Sequence, residues 1–285
     1  MRIAPLSKKI IIEEVKKSLK EDLSSIGDIT TKSTVDKNKK IVASIVASHN
    51  GILAGIDFAK HTFKILDPKI KFYSVKKDGS KLKSGQIVLK ITGKAHAILT
   101  GERVALNYLG LLSGCATLTR EMVDKVKRYK VDIMCTRKTL PKLRKIQKYA
   151  VRVGGGKNHR SNLSDAILIK DNHIVAAGGI KRAIKKTTKI YGQRKKIQLE
   201  VDSIKQLKQV LNESIDSVLL DNMSIKSLKK STKLINGRFL SEASGNINRS
   251  NIQQVAKTGV NRISLGTITH SSPTFDFSLE VEHNH

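Results

Sequence analysis

Cationic side chains gather in three neighbouring segments near the middle of this chain. The first segment holds Arg137 and Lys138, the second holds His159 and Arg160 after a triple glycine, and the third holds Lys170. Guanidinium groups pair bidentately with carboxylate or phosphate, ammonium groups act as point charges, and glycine lets backbone N–H groups approach a ligand closely. The combination predicts a pocket for a small molecule that carries several negative charges, and Arg103 could add a further guanidinium.

Two acids and several small residues follow apolar runs further along the chain. Glu200 and Asp221 could coordinate Mg²⁺ through water, bond sugar hydroxyls, or stabilise a developing positive charge. Ser244, Gly245 and Gly266 have the small-residue character that lets backbone N–H groups surround a phosphate. A glycine after a strand is equally consistent with a simple turn. Together with the cations, these residues suit a phosphorylated sugar that meets an anionic partner.

The elements that must position these side chains alternate between short apolar runs and helical patterns. Repeated strand–helix units predict parallel strands with right-handed crossovers, and six or seven of them could form an open or closed α/β barrel. Active sites of such barrels lie at the carboxyl ends of the strands, so the polar residues should converge on one mouth. The candidate strands are residues 131–134, 166–169, 197–201, 217–220, 239–242 and 262–265.

The first third of the chain has a different pattern. Helical spacing over residues 10–23 predicts an amphipathic helix, and residues 40–99 contain short β-prone runs separated by turn signals. A second helical pattern covers residues 102–129, with a break expected near Gly114. These features predict a smaller α+β domain built on antiparallel strands.

Composition limits the remaining possibilities. The chain has 285 residues and a formal net charge of +30, but the lysines are scattered and no known nucleic-acid module accompanies them. A solvated lysine-rich surface is therefore expected, with a polyanion-binding or nucleic-acid-binding protein as the rival interpretation. No apolar run is long enough for a membrane span and the start lacks a secretory h-region, so a cytoplasmic location is expected.

The two cysteines, Cys115 and Cys135, have no metal-ligand or disulfide-framework spacing. We expect both to be reduced. Cys135 directly precedes the first cationic segment, so a nucleophilic role competes with that of an ordinary residue at a strand end, and the apolar run before it favours the latter.

Ordered motifs along nearly the whole chain resemble the quinolinate phosphoribosyltransferase family, also called nicotinate-nucleotide pyrophosphorylase. The matching segments are residues 21–23, 27–31, 50–55, 101–107, 112–117, 136–139, 149–156, 170–173, 220–223, 242–245 and 264–266. One departure is visible, because Cys135 stands where an Asp or a small residue often precedes the Thr-Arg-Lys-Thr motif. We expect it to affect packing rather than chemistry.

The resemblance implies a two-domain fold. An N-terminal α+β sandwich-like domain would cover residues 1–103, joined by the C-terminal segment 271–285, and an incomplete α/β barrel would cover residues 104–270. It also implies a homodimer in which Arg103 reaches the partner's site. No membrane and no specific nucleic acid would be partners.

The resemblance further implies particular roles for the site residues. Arg137, His159, Arg160 and Lys170 would bind the two carboxylates of quinolinate. Lys138, Glu200 and Asp221 would contact phosphoribosyl pyrophosphate and its Mg²⁺, with Lys138, Lys170, Glu200 and Asp221 as the catalytic set. Ser244, Gly245, Gly266 and His270 would border the phosphate sites.

The implied reaction transfers phosphoribose to quinolinate with decarboxylation and yields nicotinate mononucleotide, pyrophosphate and CO₂ for de novo NAD biosynthesis. Mg²⁺ would be needed and no organic cofactor. A related phosphoribosyltransferase for another anionic acceptor, such as the molybdenum-associated relatives of the family, is the nearest alternative. The full cationic set favours a dicarboxylate acceptor.

Overall fold

The computed structural model describes residues 4–73 and 76–282. The strands in chain order are β1 Lys40–Ala47, β2 Gly51–Ile52, β3 Lys71–Tyr73, β4 Lys81–Leu82, β5 Gln86–Lys94, β6 Asp132–Met134, β7 Ile167–Ile169, β8 Ile197–Val201, β9 Ser217–Asp221, β10 Leu240–Ser244, β11 Arg262–Ser264 and β12 Phe277–Val281. The helices are α1 Lys8–Leu23, α2 Ile29–Thr34, α3 Ile56–Leu66, α4 Ala95–Val126, α5 Arg144–Val153, α6 Asp171–Ala177, α7 Ile180–Tyr191, α8 Ile204–Val210, α9 Ile225–Ile235, α10 Ile252–Ala256 and α11 Thr267–His270.

The chain divides into two compact units. The first runs through Leu118 and takes in Tyr149–Gly155 and the C-terminal segment from Ser272, while the second comprises Thr119–Lys148 and Gly156–Ser271. Residue 103, where the sequence suggested a boundary, lies within the continuous helix α4.

The first unit contains a four-stranded antiparallel sheet in the order β12-β1-β5-β3 and a two-stranded pair, β2 with β4. Antiparallel pairing was predicted, although residues 74 and 75 of one predicted strand lie outside the described residues. The alternating inner faces of β1 and β5 bury Ile45, Leu89 and Ile91 in a core completed by Phe63 of α3. Burial of this apolar surface is the main stabilising contribution to the sheet.

Helices α3 and α4 of the first unit differ from expectation. Helix α3 was not predicted, because its residues lie within a stretch whose β-prone runs dominate the pattern. Helix α4 begins before the expected start and continues unbroken through Gly114, so the predicted break is wrong. A Cβ at Gly114 would lie 1.9 Å from the carbonyl oxygen of Pro273. The glycine therefore permits close approach of another backbone segment and does not interrupt the helix.

The second unit contains a six-stranded parallel sheet in the order β6-β11-β10-β9-β8-β7. The prediction of an incomplete α/β barrel is confirmed, since this order has two edges, β6 and β7. An isolated parallel bridge joins Met134 to Lys157 and extends the β6 edge. Helix α7 buries Ile180, Ala183 and Ile184 through the i, i+3, i+4 spacing. None of the helices within the described ranges is long and apolar enough to cross a membrane.

Candidate active site

A pocket of about 710 Å³ lies at the carboxyl ends of the parallel strands of the second unit. It collects all but one of the residues that the sequence singled out. These are Arg137, Lys138, His159, Arg160, Lys170, Glu200, Asp221, Ser244, Gly245, Gly266 and His270. The exception is Arg103, which is exposed on α4 in the first unit and does not line this pocket. The expected convergence at one mouth is present, and the individual roles stay predictions.

Two guanidinium groups define the cationic side of the pocket. Burial lowers the pKa of Arg160, and the neighbouring charge of Arg137 lowers it further. The Nε of Arg137 is buried and has no hydrogen-bond partner within the part of the chain that the structure describes. Two like charges held close together, one with an unsatisfied donor, favour an anion between them.

The segment that carries Arg160 is held in place by several polar contacts. Arg160 Nη1 donates to the Ala166 carbonyl at 3.0 Å. The ammonium of Lys148 donates to the carbonyl oxygens of His159 and Arg160 at 2.6 and 3.0 Å. Lys148 is 3% exposed, and this burial lowers its pKa. Sequence reasoning missed Lys148, because nothing in the local pattern of α5 distinguishes it from the exposed lysines nearby.

Lys138 follows β6 and is exposed at the pocket rim. Its backbone N–H donates to Thr136 Oγ1 at 3.0 Å, and its carbonyl accepts from Thr269 Oγ1 at 2.6 Å. A Cβ on Gly266 would lie 3.0 Å from His270 Nε2 and 3.2 Å from Lys138 Cδ. The absence of a side chain at Gly266 thus leaves room for Lys138 and His270 at the end of β11.

Lys170 and Glu200 form an ion pair across the ends of β7 and β8, with 2.9 Å between Nζ and Oε2. Lys170 is 46% exposed on its side chain and Glu200 14% exposed. Because the lysine has two further N–H donors, it can hold Glu200 and an anionic ligand together.

The loops after β9 and β10 meet in a tight arrangement. Asn222 Nδ2 donates to Asp221 Oδ2 at 2.8 Å, and Asn246 Nδ2 donates to Asn222 Oδ1 at 3.1 Å. Gly245 has φ +89°, and a Cβ there would lie 2.1 Å from Asn222 Oδ1. Gly245 is therefore required both by its left-handed backbone and by the close approach of Asn222.

A buried polar network at the pocket was not predicted as a network, although segment 242–245, which holds Glu242, was among the matching motifs. Glu242 is fully buried on β10, and it accepts hydrogen bonds from Gln198 Nε2 at 2.9 Å and from the Ser264 hydroxyl. Gln198 Oε1 lies 2.7 Å from His159 Nε2. The available signal was spacing: Gln198 precedes Glu200 by two residues, and Glu242 precedes Ser244 by two, so each pair shares a strand face.

Three nearby residues do not line the pocket. Lys157, which belongs to the second cationic segment, pairs with Asp132 at 2.8 Å. Cys135 is buried with its Sγ 3.4 Å from Asn158 Oδ1, as fits a residue at a strand end, and neither Cys115 nor Cys135 forms a disulfide. His173 accepts from the Lys170 N–H at 2.9 Å and so shapes the start of α6.

The fold and the pocket define an open α/β barrel whose mouth carries both cationic and acidic side chains. Residues 28–113 match the quinolinate phosphoribosyl transferase N-terminal domain, and residues 115–280 match the C-terminal domain of that family. The chain belongs to the quinolinate phosphoribosyl transferase family.

Named relatives agree with this assignment. The chain is 39% identical over 288 residues to quinolinate phosphoribosyltransferase [decarboxylating] 2b, mitochondrial, of Nicotiana tabacum, which covers 95% of this chain and 82% of the relative. It is 41% identical over 261 residues to the probable nicotinate-nucleotide pyrophosphorylase [carboxylating] of Bacillus subtilis, with 92% and 90% covered. The solved nicotinate-nucleotide pyrophosphorylase from Francisella tularensis superposes with a TM-score of 0.93 at 38% identity and covers 99% of both chains.

Proposed function

We propose that this chain is a decarboxylating quinolinate phosphoribosyltransferase that makes nicotinate mononucleotide, pyrophosphate and CO₂ from quinolinate and phosphoribosyl pyrophosphate. One observation carries the proposal: a single pocket gathers two guanidinium groups, two carboxylates and a set of small residues. Membership of the family and the names of its relatives support the same reaction.

The cationic side is suited to the acceptor. Arg137 and Arg160 present close like charges, and Lys170 adds an ammonium at the neighbouring strand end. Guanidinium pairs neutralise adjacent carboxylates with defined geometry. Quinolinate has two adjacent carboxylates, so these three side chains would bind it and orient its ring nitrogen toward the opposite side of the pocket.

The opposite side is suited to the sugar donor. Ser244, Gly245, Gly266 and His270 line the pocket after the last strands, where small side chains leave room for phosphate, and Lys138 supplies a positive charge at the same rim. Alpha/beta barrels frequently bind phosphate after their last strands. We assign this rim to the 5-phosphate and the pyrophosphate of the donor.

Glu200 and Asp221 would hold Mg²⁺ together with the pyrophosphate. Within the described residues no group of three or more His, Cys, Asp or Glu side chains is arranged to bind a metal by itself. Mg²⁺ is commonly bound by one or two carboxylates with the remaining positions taken by substrate phosphates and water, so the two acids fit an ion that arrives with the donor. When bound, the ion would neutralise charge on the departing pyrophosphate.

The chain's own residues would then act mainly by positioning and charge. Lys138 stabilises the departing pyrophosphate, and the carboxylates of Glu200 and Asp221 stabilise positive charge that develops on the ribose. Arg137 and Arg160 hold the pyridine nitrogen near the ribose carbon that it attacks. The new bond makes the ring cationic, so the ring stabilises the electron pair that is left on its carbon when the adjacent carboxylate departs as CO₂. A proton from solvent then takes the place of the carboxylate on that carbon.

We also propose a homodimer in which Arg103 completes the partner's pocket. The exposure of Arg103 on α4 supports this, because an exposed guanidinium is free to contact another subunit. Light scattering would give the oligomeric state, and mixing Arg103→Ala with a pocket variant would test exchange of active-site residues between subunits. A cytoplasmic location stays a prediction.

Release of pyrophosphate and CO₂ with both substrates and Mg²⁺ tests the reaction. Nicotinate serves as the control acceptor because it lacks the carboxylate beside the nitrogen. We expect both products with quinolinate and neither with nicotinate. Equal turnover of nicotinate, or pyrophosphate release without CO₂, would reject the proposal and favour a phosphoribosyltransferase with another acceptor.

A further inference from the structure

Below the pocket, a chain of buried hydrogen bonds runs from β10 to Arg160. Each link has only one allowed direction. The Glu242 carboxylate only accepts, so Gln198 must turn its NH₂ group toward Glu242, where the distance is 2.9 Å. This turns Gln198 Oε1 toward His159, 2.7 Å from Nε2. Oε1 also only accepts, so Nε2 of His159 must carry a proton.

The other ring nitrogen of His159 is fixed from the opposite side. The backbone N–H of Arg160 donates to His159 Nδ1 at 2.8 Å. Because an amide N–H only donates, Nδ1 must be unprotonated, which agrees with a proton on Nε2. A protonated Nδ1 would place two donors against each other. These contacts fix the imidazole in one tautomer, with both nitrogens bonded to protein groups and Nε2 also 3.7 Å from Glu242 Oε1.

This arrangement leaves His159 without a ring nitrogen for a ligand. The resemblance implied direct binding of a quinolinate carboxylate by His159, whereas the contacts describe a side chain that holds Arg160. The burial of the chain supports this interpretation, since Glu242 is 0% exposed, Gln198 6% and Ser264 5%. Buried polar groups that are fully satisfied hold their neighbours in one arrangement.

We propose that Glu242 and Gln198 are positioning residues that fix His159 as its Nε2–H tautomer, so that His159 holds the backbone at Arg160, whose guanidinium would bind the acceptor. The inference rests on the proposed function, which identifies the acceptor as quinolinate. The chain of hydrogen bonds ends at Arg160, one of the residues proposed to bind the acceptor. Its loss should therefore affect binding of the dicarboxylate more than binding of the sugar donor.

Equilibrium binding of quinolinate and, separately, of phosphoribosyl pyrophosphate with Mg²⁺ tests whether the hydrogen-bond chain affects the dicarboxylate more than the sugar donor. Gln198→Leu and Glu242→Leu each interrupt the chain of hydrogen bonds and should weaken quinolinate binding about 10-fold. Both should leave binding of the sugar donor within about twofold. Glu242→Gln should weaken quinolinate binding less than Glu242→Leu, because its carbonyl still accepts from Gln198 and its NH₂ can donate to Ser264.

Thr258→Val is the matched control for removal of a buried polar group. Thr258 is 6% exposed in the second unit, and its hydroxyl donates to the Val255 carbonyl away from the pocket. We expect this variant to bind quinolinate like the wild type even where its melting temperature falls. If Gln198→Leu weakens both ligands equally, or neither, the positioning role is rejected.

Nitrogen NMR of ¹⁵N-histidine-labelled protein gives a readout that does not depend on activity. The ring-nitrogen resonances of His159 are assigned as those that disappear in His159→Asn. We expect these resonances to show the Nε2–H tautomer in the wild type and a mixture of the two tautomers in Gln198→Leu. An Nδ1–H tautomer or a doubly protonated ring in the wild type at neutral pH would overturn the inference. Absence of any quinolinate binding by the wild type would instead reject the proposed function, and the tautomer would still decide the hydrogen-bond chain.

Discussion

Asp78 in the first unit and Arg137 in the second are charged side chains partly removed from water, but their surroundings differ. Asp78 accepts hydrogen bonds from the N–H groups of Gly55 and Ile56 at 2.9 and 3.0 Å and from the Tyr149 hydroxyl at 2.6 Å. The buried Nε of Arg137 has no partner among the described residues. A satisfied charge stabilises the local fold, whereas an unsatisfied donor in a pocket is available to a ligand.

Substitution in the pocket should lower turnover and substitution of Asp78 should lower stability. The loss of turnover is the largest effect that we expect. Arg137→Ala or Lys138→Ala should lower turnover by roughly three orders of magnitude, because charge stabilisation and orientation are lost together. Either change should leave the melting temperature nearly unchanged. Asp78→Ala leaves three donors without an acceptor near the start of α3 and should cost about 2–3 kcal/mol of stability.

Steady-state kinetics and thermal melts on the same preparations check this prediction. Lys229→Ala, an exposed lysine on α9 outside the pocket, is the control for loss of a surface charge. Near-normal turnover in both Arg137→Ala and Lys138→Ala would remove the site assignment.

The parallel strands could be predicted from the sequence because each is a short apolar run that ends in polar residues. Helix α3 and the continuity of α4 could not, because both depend on contacts between distant residues. Asp78 accepts from the first N–H groups at the start of α3, and the backbone at Pro273 fills the space beside Gly114. Neither contact leaves a signal in the local pattern.

The site likewise has residues that the local sequence reveals and residues that depend on contacts between distant segments. Arg137, Lys138 and Lys170 are visible in the sequence because charged residues directly follow apolar runs. Glu242 and Gln198 are harder to find, since their importance depends on the strand order β10-β9-β8 and on burial that only the folded sheet provides. Tertiary context decides whether a polar residue within a strand is a defect or part of a network.

Glu200 differs from Arg137 because its charge already has a partner in the protein. Its carboxylate pairs with Lys170 at 2.9 Å and also faces the pocket. Glu200→Gln keeps the shape and removes the charge, so turnover should fall about 100-fold and the Mg²⁺ concentration for half-maximal rate should rise. Glu121→Gln, which breaks the surface pair with Arg249, is the matched control. Equal effects of the two changes on turnover would argue against a role for Glu200 in the reaction.

Two glycines with nearly the same backbone geometry test the phosphate rim. Gly245 and Gly259 have φ +89° and +86°, but only at Gly245 would a Cβ collide, 2.1 Å from Asn222 Oδ1. Each alanine variant should lose about 1 kcal/mol of stability from backbone strain. Gly245→Ala should also raise KM for phosphoribosyl pyrophosphate about 10-fold, because the collision shifts the loop that would bind its phosphate. An equal rise in Gly259→Ala would assign the effect to strain alone.

The smallest expected effect belongs to Asp28, a satisfied charge at the start of α2. Its carboxylate accepts from the hydroxyl and the N–H of Thr31, and these hydrogen bonds lower the pKa of Asp28 below its usual value. A carboxyl whose folded pKa is lowered stabilises the protein above its unfolded pKa, and this stabilisation is lost as pH falls through the folded value. Asp28→Ala should therefore cost about 1 kcal/mol at pH 7. The difference in melting temperature between wild type and variant should shrink as the pH is lowered below about 4. A difference that stays constant with pH would show that the ionised carboxylate does not supply the stabilisation, and the contrast with Arg137 would then rest on Asp78 alone.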